Sequence, residues 1–95
     1  MNNNERKELR KIADEKVSGT ISSFLLDLQE KIQEFADNEQ EKYDNLPESF
    51  QYGEKGERMQ EYVEALEQVC SDIDDVISSV DDIASAINDI ADDNI

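Results

Sequence analysis

The chain contains no histidine and no tryptophan, and it has only one cysteine, one proline and three glycines. Without histidine it lacks the usual general base, the commonest metal ligand and every Ser–His or Cys–His nucleophile pair. The single cysteine, Cys70, excludes an intrachain disulfide, and we expect it to serve as a small buried hydrophobic residue. These absences predict a protein that is not an enzyme and that binds no metal ion and no cofactor.

Basic residues are also scarce. The chain has 25 acidic residues against 9 Lys and Arg, which gives a formal net charge of -16. Such a chain is repelled by nucleic acid and by anionic membranes, so basic protein surfaces are its favoured partners. The most apolar local run, Phe24-Leu25-Leu26, is far too short to cross a bilayer, and the first residues do not read as a signal peptide. We therefore expect no membrane association, no direct binding of nucleic acid, and a cytoplasmic location.

A strict seven-residue repeat of apolar residues runs from Met59 to Asp93. It forms a first column of Met59, Leu66, Ile73, Val80 and Ile87, a second column of Tyr62, Val69, Val76, Ile83 and Ile90, and a third column of Val63, Cys70, Ile77, Ala84 and Ala91. Such a repeat predicts a coiled-coil helix over about residues 57–92. We expect the first two columns to line the contact with another helix, and the third to widen that contact.

The first half of the chain has a helical period too, over about residues 4–43, but its repeat is eleven residues long, as in Ala13, Phe24 and Phe35. This spacing predicts nearly straight packing of these residues against the second helix. Ser18-Gly19-Thr20 interrupts the pattern with poor helix formers, which predicts a kink or hinge at 18–20 unless the glycine is simply tolerated. If the helix breaks there, its first part folds back and the chain forms a three-helix monomer.

The connection between the helices, residues 44–56, contains the only proline and two of the three glycines. Pro47 disfavours helical geometry at the residue before it, and Gly53 and Gly56 permit a bend. The segment also carries three large apolar residues, Leu46, Phe50 and Tyr52. These side chains either close the end of the contact between the helices or form an exposed patch.

Two helices of similar length joined by a bend predict an all-α fold, an antiparallel helical hairpin that forms one domain over residues 1–95. A hairpin buries only a narrow contact, whereas the second helix has three apolar columns. We therefore expect a homodimer that forms a four-helix bundle, with a partner protein as the alternative occupant of the surplus surface. The residues expected to carry self-association are Leu66, Ile73, Ile77, Val80, Ile83 and Ile87.

Aspartates line the side of the second helix opposite the apolar columns, and no Lys or Arg follows Arg58. The predicted partner-binding surface, the acidic face, consists of Asp74, Asp75, Asp81, Asp82 and Asp89. Rows of carboxylates on a rigid helix are similar to a nucleic-acid backbone, so the face is a candidate DNA mimic that occupies a basic groove of another protein. The alternative is a solvated surface that only keeps the coiled coil soluble.

The turn, with Asp44-Asn45-Leu46-Pro47-Glu48 between two coiled-coil-like helices, resembles short acidic proteins encoded by phages and mobile elements of Gram-positive and related bacteria. In those proteins an Asp-Asn-(Leu or Met)-Pro-Glu segment occupies the same place. The resemblance implies a phage protein in the cytoplasm of a bacterial host cell, and it assigns no functional residue. We therefore predict a non-enzymatic protein-binding module, an inhibitor or adaptor whose acidic face docks on a basic host protein. The alternative is a structural coiled-coil assembly or spacer protein.

Overall fold

The computed structural model of the chain describes residues 1–94, and every regular element within them is helical. The all-α class is thereby confirmed. The elements are α1 (Asn3–Lys11), a π-helical segment (Ile12–Ile21), α2 (Ser22–Asp44), the short α3 (Glu48–Gln51) and the long α4 (Glu54–Ala91). Asn2 caps α1, because its side-chain oxygen accepts a 2.9 Å hydrogen bond from the backbone N–H of Glu5.

The helix at the start of the chain runs through Gly19 without ending. Residues 12–21 widen into π geometry, in which backbone hydrogen bonds span five residues, and the helix then continues as α2. The hydroxyl of Thr20 donates a 3.1 Å hydrogen bond to the carbonyl of Glu15, also five residues earlier. The chain therefore does not fold back at Gly19, and residues 1–94 do not form the three-helix arrangement.

The π segment changes which residues of the first half face α4. A π turn contains one residue more than an α turn, so the step from buried Val17 to the next buried residue, Ser22, is five positions long. The contact between the first helical arm and α4 is here called the seam. Beyond this step the positions of α2 that lie in the seam are Ser22, Leu25, Gln29, Ile32 and Ala36. The eleven-residue pattern is wrong for α2, since Phe24 and Phe35 are 68% and 48% exposed.

The long helix α4 buries residues of its first and third columns and leaves its second column outside. Its buried hydrophobic residues are Val63, Cys70, Ile73, Val80, Ala84 and Ala91. The two columns alternate in steps of four and three, which is the spacing of a coiled-coil seam. All five residues of the second column are 42–52% exposed, so the expectation that this column lines the helix contact is wrong. Cys70 is buried as predicted, with its Sγ 3.7 Å from the carbonyl oxygen of Gln29.

The described chain forms two compact units, and unit 1 comprises residues 1–27 and the described residues from Asp74 onward. Its core consists of Ala13, Val17, Val80 and Ala84, with Leu25 and Ile87 packed against them. The two helices of unit 1 are antiparallel, because Arg10 contacts Asp92 while Asn88 donates a hydrogen bond to Asp14.

Unit 2 comprises residues 28–73 and pairs α2 with the first half of α4. The side chain of Gln29 donates a 2.9 Å hydrogen bond to the carbonyl of Cys70, and that of Gln60 donates one of 3.5 Å to Gln40. The partner positions therefore run in opposite directions along the two helices. Unit 2 is an antiparallel helix pair as well.

The chain passes from α2 to α4 through α3. The carbonyl of Pro47 accepts hydrogen bonds from the N–H groups of Phe50 and Gln51, at 2.8 and 3.2 Å. The long helix begins at Glu54, three residues earlier than the sequence predicts. Phe50 and Tyr52 are 57% and 76% exposed, so these two side chains do not close the helix contact, whereas Leu46 is half-buried.

Gly56 is buried where the first turn of α4 lies against the end of α3. A Cβ at this position would overlap the backbone of Gln51, so we expect Gly56→Ala to lower the free energy of unfolding by about 1–3 kcal/mol. Gly53→Ala is the matched control, because its Cβ would lie 3.6 Å from the carbonyl oxygen of Phe50, an ordinary contact. Urea denaturation followed by circular dichroism measures both variants. Equal stabilities would contradict the close approach at Gly56.

Candidate interaction surfaces

The acidic face lies on the outer side of α4, and all five of its aspartates are exposed. They form two rows with seven-residue spacing, one of Asp74 and Asp81 and one of Asp75, Asp82 and Asp89. Within a row the residues are therefore about 10 Å apart along the helix axis. Among residues 1–94, Asp81, Asp82 and Asp89 form no ion pair. The structure thus presents these carboxylates to solvent.

A basic side chain contacts the chain just past the end of α4. The Nη2 and Nε atoms of Arg10 donate hydrogen bonds of 2.7 and 3.1 Å to one carboxylate oxygen of Asp92, and Nη2 donates another of 3.1 Å to the carbonyl of Ala91. The side chains of the ion pair are 47% and 50% exposed, so the pair contributes only about 0–1 kcal/mol. The bond to Ala91 satisfies a carbonyl that the end of a helix leaves without a partner.

The second column forms a row of half-exposed apolar residues along α4. The exposed fractions are 47% for Tyr62, 43% for Val69, 48% for Val76, 52% for Ile83 and 42% for Ile90. Single exposed apolar residues are normal on a protein surface, but a regular row of them along one helix is a candidate surface for an interaction. The second column is therefore the second candidate surface, and it lies about 100° around the helix from Asp75, Asp82 and Asp89.

In unit 2 the second column borders an open groove between α2 and α4. The groove has a volume of about 620 Å³, and its walls include Phe35 of α2 together with Tyr62, Leu66 and Val69 of α4. Leu28, seven residues before Phe35 on α2, is 41% exposed. The helix beside α4 therefore adds to the apolar surface in this unit.

Two cations cover aromatic rings on this side of unit 2. The Nζ of Lys31 lies 5.2 Å from the centre of the Phe35 ring, and the guanidinium of Arg58 lies 5.0 Å from the centre of the Tyr62 ring. The Nε of Arg58 also donates a 3.3 Å hydrogen bond to the Tyr62 hydroxyl. Tyr62, and after it Glu61, raise the pKa of Arg58 above its ordinary value.

The residues expected to carry self-association do not form one surface. Ile73 and Val80 are buried inside the chain's own seam, whereas Ile83 is 52% exposed. Leu66, Ile77 and Ile87 are half-buried. The exposed residues that accompany Ile83 are Tyr62, Val69, Val76 and Ile90, none of which belongs to the expected set. The seven-residue spacing of these residues could have indicated this surface, but the other two columns have the same spacing.

Neither a metal site nor a membrane span is found in the described part of the chain. No group of three or more acidic or cysteine side chains there could hold a metal ion, and no helix there is both long and apolar enough to cross a membrane. Comparison of the chain with protein-family models, with curated proteins and with solved structures found no match.

Proposed function

We propose that the chain is a non-enzymatic protein-binding module whose acidic face docks on a basic surface of another protein. The observation that carries the proposal is the exposure of all five aspartates on one helix that has no Lys or Arg after Arg58. A surface that serves only solubility usually mixes both signs of charge. With the resemblance of the turn, this supports a phage-type inhibitor or adaptor that acts on a host protein in the bacterial cytoplasm.

The spacing of the charges indicates the kind of basic surface. The five carboxylates from Asp74 to Asp89 span about 22 Å of helix, so the mean spacing is about one charge per 5.6 Å. A DNA duplex carries about one charge per 1.7 Å, and a single strand about one per 3.4 Å. The acidic face is therefore too sparse for a duplex and is closer to a single strand. A narrow basic strip that binds one nucleic-acid strand is the proposed docking surface.

Replacing Asp74, Asp75, Asp81 and Asp82 together by Asn tests this proposal. Asp and Asn have similar helix propensities, so the helix content should not change. Loss of four charge contacts should reduce the capture of a basic protein from a bacterial lysate by at least about tenfold. Salt at about 0.5 M should reduce capture by the unmodified chain in the same way, because salt screens exposed charges. Quantitative mass spectrometry of the captured proteins measures both effects.

The matched control removes four exposed acids from α2 and leaves α4 unchanged. It combines Asp27→Asn, Glu30→Gln, Asp37→Asn and Glu41→Gln, all at exposed positions. This control changes the net charge by the same amount, so it should retain the captured protein. Equal losses in the two variants would show that only total charge matters. Unchanged capture by the α4 variant would reject the acidic face as the docking surface.

A structural coiled-coil assembly is the second candidate function, and the exposure of the second column favours it. A homodimer that forms a four-helix bundle covers these residues and removes their apolar area from water. Such an assembly persists at about 0.5 M salt, because screening weakens charge contacts and leaves apolar packing in place. The two candidates use different sides of α4, so a dimer still presents the acidic face to a partner.

A further inference from the structure

We propose that a second copy of the chain covers the second column, and that the two α4 helices pack antiparallel across a two-fold axis at Val76. This inference rests on the proposed homodimer and adds the face and the register of its interface. It replaces the expected interface set, of which Ile73 and Val80 are already buried within one copy. It also commits to a second copy as the occupant of the surplus apolar surface.

The second column supplies about half of the area that an interface between copies needs. From Tyr62 to Ile90 the column spans 28 residues of α4, or about 42 Å, and a helix is about 10 Å wide. The helix alone thus offers about 400 Å², half of the roughly 800 Å² per partner that a stable interface buries. In unit 2 the neighbouring α2 adds the exposed side chains of Leu28 and Phe35 beside this surface.

The symmetry of the column sets the register. A two-fold axis requires that if residue i contacts residue j of the second copy, then j also contacts i. Val76 is the middle member of the five, so an axis there pairs Val76 with itself, Val69 with Ile83 of the second copy, and Tyr62 with Ile90 of the second copy. No other centre on the column gives every member an apolar partner.

The charges of α4 favour the antiparallel direction. Lys55 and Arg58, in its first turns, are its only basic residues, whereas Asp89 lies in its last turn and Asp93 follows its end. Antiparallel packing brings the first turns of each copy, where Lys55 and Arg58 balance Glu54 and Glu57, beside the acidic end of the other. Parallel packing would place acidic ends together and would also align the two helix dipoles. Tyr62 and its cation Arg58 then lie near Ile90 and Asp93 of the second copy.

Disulfide trapping at the proposed axis tests the register in the full-length chain. In a Cys70→Ala background, Val76→Cys should form a disulfide-linked dimer on mild oxidation, because the two copies of this position meet at the axis. Asp75→Cys is the matched control, since it is adjacent in sequence but points about 100° away. We expect at least about ten times more cross-linked dimer for Val76→Cys than for Asp75→Cys. Val69→Cys mixed with Ile83→Cys should cross-link more than either variant alone.

Sedimentation equilibrium of the unmodified chain separates the two ways in which the inference can fail. A dimer that cross-links at Val76 supports it. A dimer that cross-links equally well at Asp75 and Val76 overturns the register and leaves the homodimer standing. A chain that remains monomeric over the whole concentration range overturns both the register and the homodimer. Failure of the register or of the homodimer does not affect capture of a basic protein by the acidic face.

Discussion

Replacing Val80 by aspartate is expected to destabilise the protein by about 3–5 kcal/mol, because it places an unpaired charge in a buried seam. A chain of this length has a total stability of only about 5–14 kcal/mol. Val80 is 8% exposed and packs in the core of unit 1 with Ala13, Val17 and Ala84. The melting temperature should fall by more than about 12 °C, as measured by circular dichroism.

Ile83→Asp is the matched control for this result. It adds the same charge three residues later on the same helix, but at a position that is 52% exposed. Measured at concentrations where the unmodified chain is monomeric, it should cost less than about 1 kcal/mol. At higher concentrations it should weaken the dimer, since it lies in the second column. If the two variants lost the same stability as monomers, the assignment of the second column to the surface would be wrong.

Deleting Thr20 should leave the protein folded and raise its stability by up to about 1 kcal/mol. The deletion shortens the step between Val17 and Ser22 from five positions to four, which an ordinary α-helix accommodates. The same residues therefore stay in the seam on both sides of Gly19. Thr20 is exposed, and its side chain bonds only to the carbonyl of Glu15 within the π segment. Urea denaturation measures the change in stability.

Deleting Glu34, an exposed residue within regular α2, is the control for the Thr20 deletion. Here no extra residue is available, so the helix on one side of the deletion rotates by about 100° relative to the seam. Buried residues such as Ala36 then leave the seam, which should lower the free energy of unfolding by about 3 kcal/mol or more. Comparable losses for both deletions would show that the π segment does not carry an inserted residue.

Much of the architecture followed from the sequence. The seven-residue repeat predicted a long second helix, and α4 runs from Glu54 to Ala91. The helical period of the first half and the proline-containing bend predicted the other helical arm and the connection near Pro47. Local signals suffice for these elements, because apolar periodicity and turn residues act within a few positions of the chain.

The residues that face α4 from the first half could not be derived in the same way. A continuous α-helix through Gly19 places Phe24 and Phe35 on the inner side, as the eleven-residue pattern predicts. The π segment contains one extra residue, so Leu25 and Ala36 lie on the inner side in place of Phe24 and Phe35. One extra residue in a turn changes the facing side of every later position, and neither composition nor period reports it.

Of the two candidate surfaces, only the acidic face could be predicted from the sequence. The acidic face was readable from the sequence, because aspartates at seven-residue spacing lie on one side of any helix and charges favour water. The apolar interface was not, since the first column combines with either the second or the third to give alternating steps of three and four. The sequence is therefore equally consistent with two contact rows on this helix, the first column with the second or the first column with the third.

By itself the amino-acid sequence determined that this protein is helical, strongly acidic and bent near Pro47, because those properties depend on local periodicity and composition. Only the tertiary structure decided that the third column, with the small residues Ala84 and Ala91, faces the seam and that the second column remains outside. The physical reason is close packing between helices. Small residues such as Ala13 and Ala84 allow a close approach, and which of them meet depends on the register that the π segment sets.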